Sequence, residues 1–190
     1  MQTLLNTPHE IIQQNILGAA AKAKTRILNI LVLGIMAGSF IAMGAQSSSL
    51  AVHNISNVGL ARTLAGCIFP VGLMMIVFVG GELFTGDCMM SMAWMQRKIH
   101  FADMLRTLVL VYVSNFVGAA LIAFLVAHSG QYDYSSGALG AYTIKVAYGK
   151  VHLSFANALI SGILCNILVC VAVLMASAAK DIAGKVLAIF

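Results

Sequence analysis

Glu82, Thr85 and Asp87 lie within one short stretch, Gly80-Gly81-Glu82-Leu83-Phe84-Thr85-Gly86-Asp87, at the end of an apolar run from Leu64 to Val79. Two carboxylates and a hydroxyl can bind ions, exchange protons or donate hydrogen bonds. At bilayer depth such groups are costly, and they face a bundle interior or a watered cavity. The glycines among them let the backbone leave the helix and let other groups come close. A membrane helix broken at polar residues points to a pathway for something small and polar.

The elements that must position these residues are membrane spans. The chain is 61% hydrophobic and only 9% charged, against about 25% charged for a soluble domain. Four apolar stretches reach the roughly 20 residues that a helix needs to cross a bilayer. They are placed near Ile27–Leu50, Leu60–Phe84, Leu108–Val126 and Phe155–Ala179, and a fifth begins at Val186. Met1–Arg26 lacks the early apolar segment of a cleavable signal peptide. The expected organisation is an all-α integral membrane channel domain over residues 27–190, preceded by a cytoplasmic amphipathic helix within residues 1–26.

That first helix has clear signals. Thr7 suits an N-cap, Pro8 the first turn, and Glu10 completes a capping pattern. Ile11, Ile12, Ile16, Ala19, Ala20 and Ala23 share a broad face, with Gln13, Gln14, Lys22 and Lys24 mostly elsewhere. The pattern fits a helix on the membrane surface or beneath a pore, either as an anchor or as a gate. Orientation follows from the basic residues. Lys22, Lys24, Arg26, Arg97, Lys98, Arg106, Lys180 and Lys185 fall on one side, and Arg62, Lys145 and Lys150 on the other. The richer side is expected in the cytoplasm, with the N-terminus. No nucleic-acid stripe stands out.

The second apolar region is too long for one straight span. The stretch from Arg62 to Arg97 would run about 52 Å as a helix, well past the ~30 Å hydrocarbon core. The expected break is at Thr85-Gly86-Asp87, where Gly86 frees the backbone and Asp87 caps a helix over Met89–Gln96. Irregular backbone at that depth needs protein cover or a hydrated cavity. Glu82 reads as a structural hydrogen-bonding group for loop amides or as a proton carrier. Asn166, in the middle of the fourth span, reads as an interhelical hydrogen-bonding group or as an amide lining a pathway. Lys150 and His152 precede that span. They read as an interface anchor or as an electropositive vestibule that concentrates anions.

Other candidates are bland. Cys67, Cys88, Cys165 and Cys170 form no CxxC pair and read as packing residues. His9, His53, His100 and His128 make no ligand cluster. No metal, cofactor or enzyme motif is expected.

The ordered motifs resemble one family. Gly66-Cys67-Ile68-Phe69-Pro70-Val71-Gly72-Leu73, followed by Gly81-Glu82-Leu83-Phe84-Thr85-Gly86, looks like the second-span signature of the formate/nitrite transporter family. Ser114-Asn115-Phe116-Val117-Gly118-Ala119, Lys150-Val151-His152 and Gly162-Ile163-Leu164-Cys165-Asn166-Ile167-Leu168-Val169-Cys170 extend the resemblance along essentially the whole chain. It implies an aquaporin-like homopentamer in a bacterial inner membrane. Each protomer would have six spans in two inverted repeats and a pore of its own, and about four and a half of those spans are present here. The cargo would be small monovalent anions or their weak acids: formate first, with nitrite or hydrosulfide as others.

By motif match, Phe69 would stand at the outer constriction, Leu73 and Leu83 at apolar narrowings, and Phe84 beside the break. Thr85 would face the midpoint of the pore. Lys150 and Asn166 would supply positive potential and polarity along the route. Glu82, Gly86 and Asp87 would be structural at the break. The resemblance also implies a fifth-span histidine in a Gly-Phe-Glu-His-Ser-like run, facing the threonine. The sequence ends at Phe190, before that run, so the working protein is expected to be longer or to pair with a partner. A non-conducting membrane scaffold or regulatory subunit and a proton-coupled monocarboxylate symporter are the alternatives.

Overall fold

The computed structural model describes residues 5–190, so the first four residues of the expected N-terminal region lie outside the described part. Ten α-helices follow in chain order: α1 (Pro8–Lys22), α2 (Ile27–Val52), α3 (Val58–Ile68), α4 (Val71–Val79), α5 (Phe84–Asp87), α6 (Met90–Met95), α7 (Phe101–Ala127), α8 (Ala138–Val151), α9 (Phe155–Ala178) and α10 (Ile182–Ile189). Among the described residues four helical stretches are long and apolar enough to cross a membrane: α2, the kinked pair α3–α4, α7 and α9. The fold is an all-α bundle, as expected.

Local chemistry explains the starts of these helices. At α1 the Thr7 hydroxyl accepts from the Glu10 N–H at 3.3 Å, and the Glu10 carboxylate accepts from the Thr7 N–H at 2.6 Å. Pro8 occupies the first turn, where a missing N–H costs nothing. Asn57, Ser154 and Asp181 cap α3, α9 and α10 through side-chain oxygens. Before α1, the chain is tied to the end of α9, where Asn6 donates to the carbonyls of Ala178 and Ser177, both at 2.8 Å.

Helices α2 and α7 form the central packing pair. Their backbones touch through glycine. A Cβ at Gly38 would sit 2.0 Å from the Asn115 carbonyl oxygen, and one at Gly118 would sit 2.0 Å from that of Ile35. Ser39 adds a hydrogen bond to the Gly118 carbonyl at 3.2 Å. Membrane helices gain little from hydrophobic exclusion, so close approach through small residues is their main route to van der Waals contact. Helix α1 packs mainly against α6 and also against α9. Ile16, Ala19 and Ala23 are buried with Met90, Ala93, Ile99 and Met104.

Several boundaries differ from those read in the sequence. The second span kinks at Phe69–Pro70, where proline removes a backbone donor. It ends at Val79, so the non-helical stretch is Gly80–Leu83, and Thr85, Gly86 and Asp87 lie inside the short helix α5. Asp87 does not cap the next helix: α6 starts at Met90, and its cap, Met89, makes no side-chain hydrogen bond. Arg106 belongs to α7, which begins seven residues earlier than expected. The connection before the fourth span is a helix, α8, that carries Lys145 and Lys150. The last helix starts at Ile182, because Asp181 caps it.

The glycine contact predicts a specific sensitivity. Gly118→Ala should destabilise the chain by about 1–3 kcal/mol through overpacking, read as a lower midpoint of thermal unfolding in detergent. Gly149→Ala, whose added Cβ meets nothing within 4 Å, should leave that midpoint in place.

Candidate functional site

The break in the second span is held open by one side chain. Asn115 uses its whole amide. Its oxygen accepts from the Phe84 N–H at 3.0 Å, and its nitrogen donates to the carbonyls of Gly34 and Glu82, each at 2.8 Å. The Glu82 N–H bonds to the Leu33 carbonyl at 3.2 Å, and the Gly80 N–H to that of Ile76 at 3.0 Å. Gly80 takes φ 100, a backbone region that side chains rarely tolerate, and this turns the chain out of α4. Asn115 lies fourteen residues into the 27-residue α7, about 21 Å along its axis. The non-helical backbone therefore sits against the middle of a spanning helix.

A buried ion cluster lies beside the break. Lys22, in the last turn of α1, donates to Asp87 Oδ1 at 2.5 Å and pairs with Glu82 Oε2. The Asp87 side chain is fully buried and that of Glu82 is 13% exposed. Burial alone would push the Lys22 ammonium down from its ordinary value of 10.5, but the Asp87 and Glu82 carboxylates outweigh burial and hold it higher. Glu82 therefore reaches α1, while the loop amide is served by Asn115. Below the break an open cavity of about 290 Å³ is lined by Lys22 and Gln14 from α1, by Leu73, Leu83, Gly86 and Asp87, and by Val173 and Ser177 from α9.

Thr85 sits at the other side of this junction. Its hydroxyl oxygen is buried and has no hydrogen-bond partner among the described residues. A buried hydroxyl without a partner forgoes a favourable interaction. The Thr85 carbonyl accepts from the Cys170 thiol at 3.1 Å, and that thiol also lies 3.2 Å from Asn166 Oδ1. A thiol has one proton, so it serves one of these acceptors at a time.

The expected site residues separate into two groups. Leu73 and Leu83 belong to one apolar cluster with Ala176, Ile189 and Val173. Thr85 and Asn166 are brought together through Cys170, and Glu82 and Asp87 through Lys22. Phe84 packs edge-on against Tyr112, with ring centroids 5.4 Å apart. Phe69 lies apart at the α3–α4 kink, 43% exposed. Lys150 is exposed in the last turn of α8, near His152, whose ring stacks on Tyr148 at 3.8 Å. No described contact ties Lys150 to the break.

Three residues were missed as site residues. Asn115 appeared only as part of a motif, although a mid-span amide three residues from Tyr112 carries the same signal as Asn166. Lys22 read as an orientation charge, and Cys170 as packing. One reachable clue to Lys22 was that two carboxylates near the break needed a cation. No described group of three or more His, Cys, Asp or Glu could hold a metal ion.

A multi-span helical bundle with a side-chain-bridged break at mid-span, a buried hydroxyl and an apolar cluster nearby has the architecture of a membrane transport protein. Residues 9–190 match the family model described as formate/nitrite transporter. The chain belongs to the formate/nitrite transporter family. It is 36% identical to the formate channel BtFdhC of Bacillus thuringiensis, over 96% of this chain and 71% of that protein. It is 34% identical to the formate channel FocA of Haemophilus influenzae, over 88% of this chain and 60% of that protein. Among solved structures, a pentameric formate channel with formate bound superposes with a TM-score of 0.75 at 28% identity, covering 86% of this chain and 65% of that one. A formate/nitrite transporter family ion channel superposes with a TM-score of 0.81 at 24% identity, covering 95% and 73%.

Two outcomes test the site. Asn115→Leu should leave the Phe84 N–H and the Glu82 carbonyl without their partner, at about 1–3 kcal/mol for each buried group left unpaired, whereas the Gly34 carbonyl keeps its bond within α2. Hydrogen exchange should then accelerate at residues 80–84 before it does in α9. Lys22→Gln should lower stability at neutral pH. Because the folded Lys22 value is raised, the parent chain's advantage over this variant should be full below the ordinary lysine value of 10.5 and disappear as pH climbs through the higher folded value. Thermal unfolding across an alkaline series measures this.

Proposed function

We propose that this chain forms a pore for small monovalent anions or their weak acids, with formate the first candidate and nitrite and hydrosulfide next. The observation that carries this reading is the unpartnered, buried Thr85 hydroxyl beside a mid-span break; Leu73 and Leu83, which share one apolar cluster, are the side chains we assign to the narrow part. The names of relatives support the choice of cargo, since those quoted above are formate channels.

In this reading the anion approaches an outer vestibule whose positive potential comes from Lys150, then passes the ring of Phe69. Leu73, Leu83 and Phe84 keep the narrow part apolar, which excludes water and larger ions. A full charge is expensive there, so a donor must offset part of the loss of hydration. Thr85 supplies that donor, and the Asn166 amide adds polarity beside it. Glu82, Gly86 and Asp87 hold the break, with Lys22 tying both carboxylates to α1. Helix α1 then acts as a cover on the cytoplasmic side, the side that the basic residues favour. The membrane would be a bacterial inner membrane. Large exposed apolar side chains such as Phe116, Leu168 and Phe155 suit lipid or neighbouring protomers, and the pentamer of the similar solved channel is the assembly we favour. The role is passage, with no enzymatic step.

Proteoliposomes made from this polypeptide test the reading. Swelling driven by formate, nitrite and hydrosulfide should exceed that driven by chloride. Thr85→Val, which keeps shape and removes the donor, should cut flux about tenfold, the scale of one hydrogen bond to a charged group, with unchanged helical content. Equal flux in parent and variant would remove Thr85 from the pathway. No flux from well-inserted parent chain would favour the scaffold reading. Flux that halts without a proton gradient would favour a symporter.

A further inference from the structure

A second cavity lies away from the break, at the turn between α6 and α7. It holds about 360 Å³ and is lined by Trp94, Arg97, Lys98, Ile99, His100 and Phe101. Arg97, Lys98 and His100 are all exposed. Among the described residues Arg97 and Lys98 make no ion pair and no side-chain hydrogen bond, since both ion pairs found there belong to Lys22. The nearest acid along the chain is Asp103, half-buried in the first turn of α7.

The backbone builds this pocket firmly. Arg97 takes φ 57, the left-handed region that a non-glycine residue adopts only when its surroundings enforce it. The Arg97 N–H bonds to the Trp94 carbonyl at 2.8 Å and the Lys98 N–H to that of Ala93 at 2.9 Å, which closes the end of α6. Ile99 is buried with Ile16 and Ala19 of α1 and with Ala23 just after it, so the floor of the turn is anchored in the core. The rings of Trp94 and Phe101 are 5.5 Å apart and both are exposed. Tryptophan at the end of a span marks the depth of the lipid headgroups.

An apolar track begins at the edge of the pocket. Phe101, Leu105, Val109, Tyr112 and Phe116 recur at helical spacing along α7, and all are about half exposed or more. A free anion would use the cations and leave this track idle. A phospholipid would use both. From the unpaired cations and the track that starts beside them, we propose that the α6–α7 turn is a binding site for an anionic phospholipid. Arg97 and Lys98 hold its phosphate, His100 and the aromatic pair border the headgroup, and its acyl chains lie along α7. Basic pockets at the ends of spans are a recurrent means of selecting anionic lipid from the bulk.

Trp94 is the chain's only tryptophan, so its fluorescence reports from the wall of this pocket. The chain is reconstituted in phosphatidylcholine vesicles containing a fixed fraction of brominated phosphatidylglycerol or, in parallel, brominated phosphatidylcholine. The anionic lipid should quench Trp94 with a relative association about fivefold in its favour, the effect expected of one well-placed basic residue. The double variant Arg97→Gln/Lys98→Gln should bring the two lipids to parity. Lys24→Gln/Arg26→Gln, which changes basic residues outside the pocket, should keep the preference. Equal quenching in the parent chain would overturn the proposal, as would a preference that survives in the pocket variant. A preference abolished by excess inorganic phosphate at constant ionic strength would assign the site to free phosphate instead.

Discussion

Backbone that leaves the helix inside a bilayer has no water to bond to, and the arrangement around Gly80–Leu83 follows from that constraint. The stretch persists where its groups find partners on neighbouring helices: the Glu82 N–H bonds to the Leu33 carbonyl of α2, and the Glu82 carbonyl accepts from Asn115 of α7. Asn115, in the middle of α7, also accepts from the Phe84 N–H and donates to the Gly34 carbonyl. It can reach them only because α2 and α7 approach through Gly38 and Gly118 to backbone contact. A bulkier interface would move Asn115 away from the loop, and the loop would have to return to helix. The close packing of two spans and the irregularity of a third are thus one feature.

The ion cluster extends this logic beyond the span. Glu82 and Asp87 lie where carboxylates are unfavourable without a counter-charge. The cation comes from α1, a helix outside the spanning region. This makes the surface helix part of the electrostatics of the break. It also places α1 over the cavity that leads towards Leu73 and Leu83. A helix that only anchored the chain would need no charge directed inward. Glu82 is accordingly a structural ion-pair partner, and the hydrogen-bonding role at the loop falls to an amide.

Thr85 and Cys170 make the junction beside the break polar without a charge. The cysteine thiol is shared between the Thr85 carbonyl and the Asn166 amide oxygen, and the Thr85 hydroxyl has no partner among the described residues. In the proposed pore, such a donor among apolar side chains would discriminate by the strength of the hydrogen bond it can make, which is greatest towards an anion.

Read alone, the amino-acid sequence sets the class of protein, the number and approximate limits of the spans, the cap at Thr7 and the presence of a break in the second span, though it places that break at Thr85-Gly86-Asp87 rather than after Val79. Those features rest on local rules: apolar length, capping chemistry, glycine and the expense of carboxylates in a membrane. The same rules named Thr85, Glu82, Asp87 and Asn166, because polar side chains stand out in apolar runs. What only the tertiary structure decided was which groups meet. Lys22 and Asp87 are 65 residues apart in the chain, and periodicity placed Lys22 on a solvent face, since nothing local records a carboxylate waiting across the bundle. Asn115 holds the loop because two other helices bring it there. The exact limits of the break were also tertiary: Thr85 to Asp87 read as breakers by composition, yet they are helical once the Asn115 oxygen accepts from the Phe84 N–H at the start of α5. Partners in hydrocarbon, rather than local preference, set where that backbone is free to leave the helix.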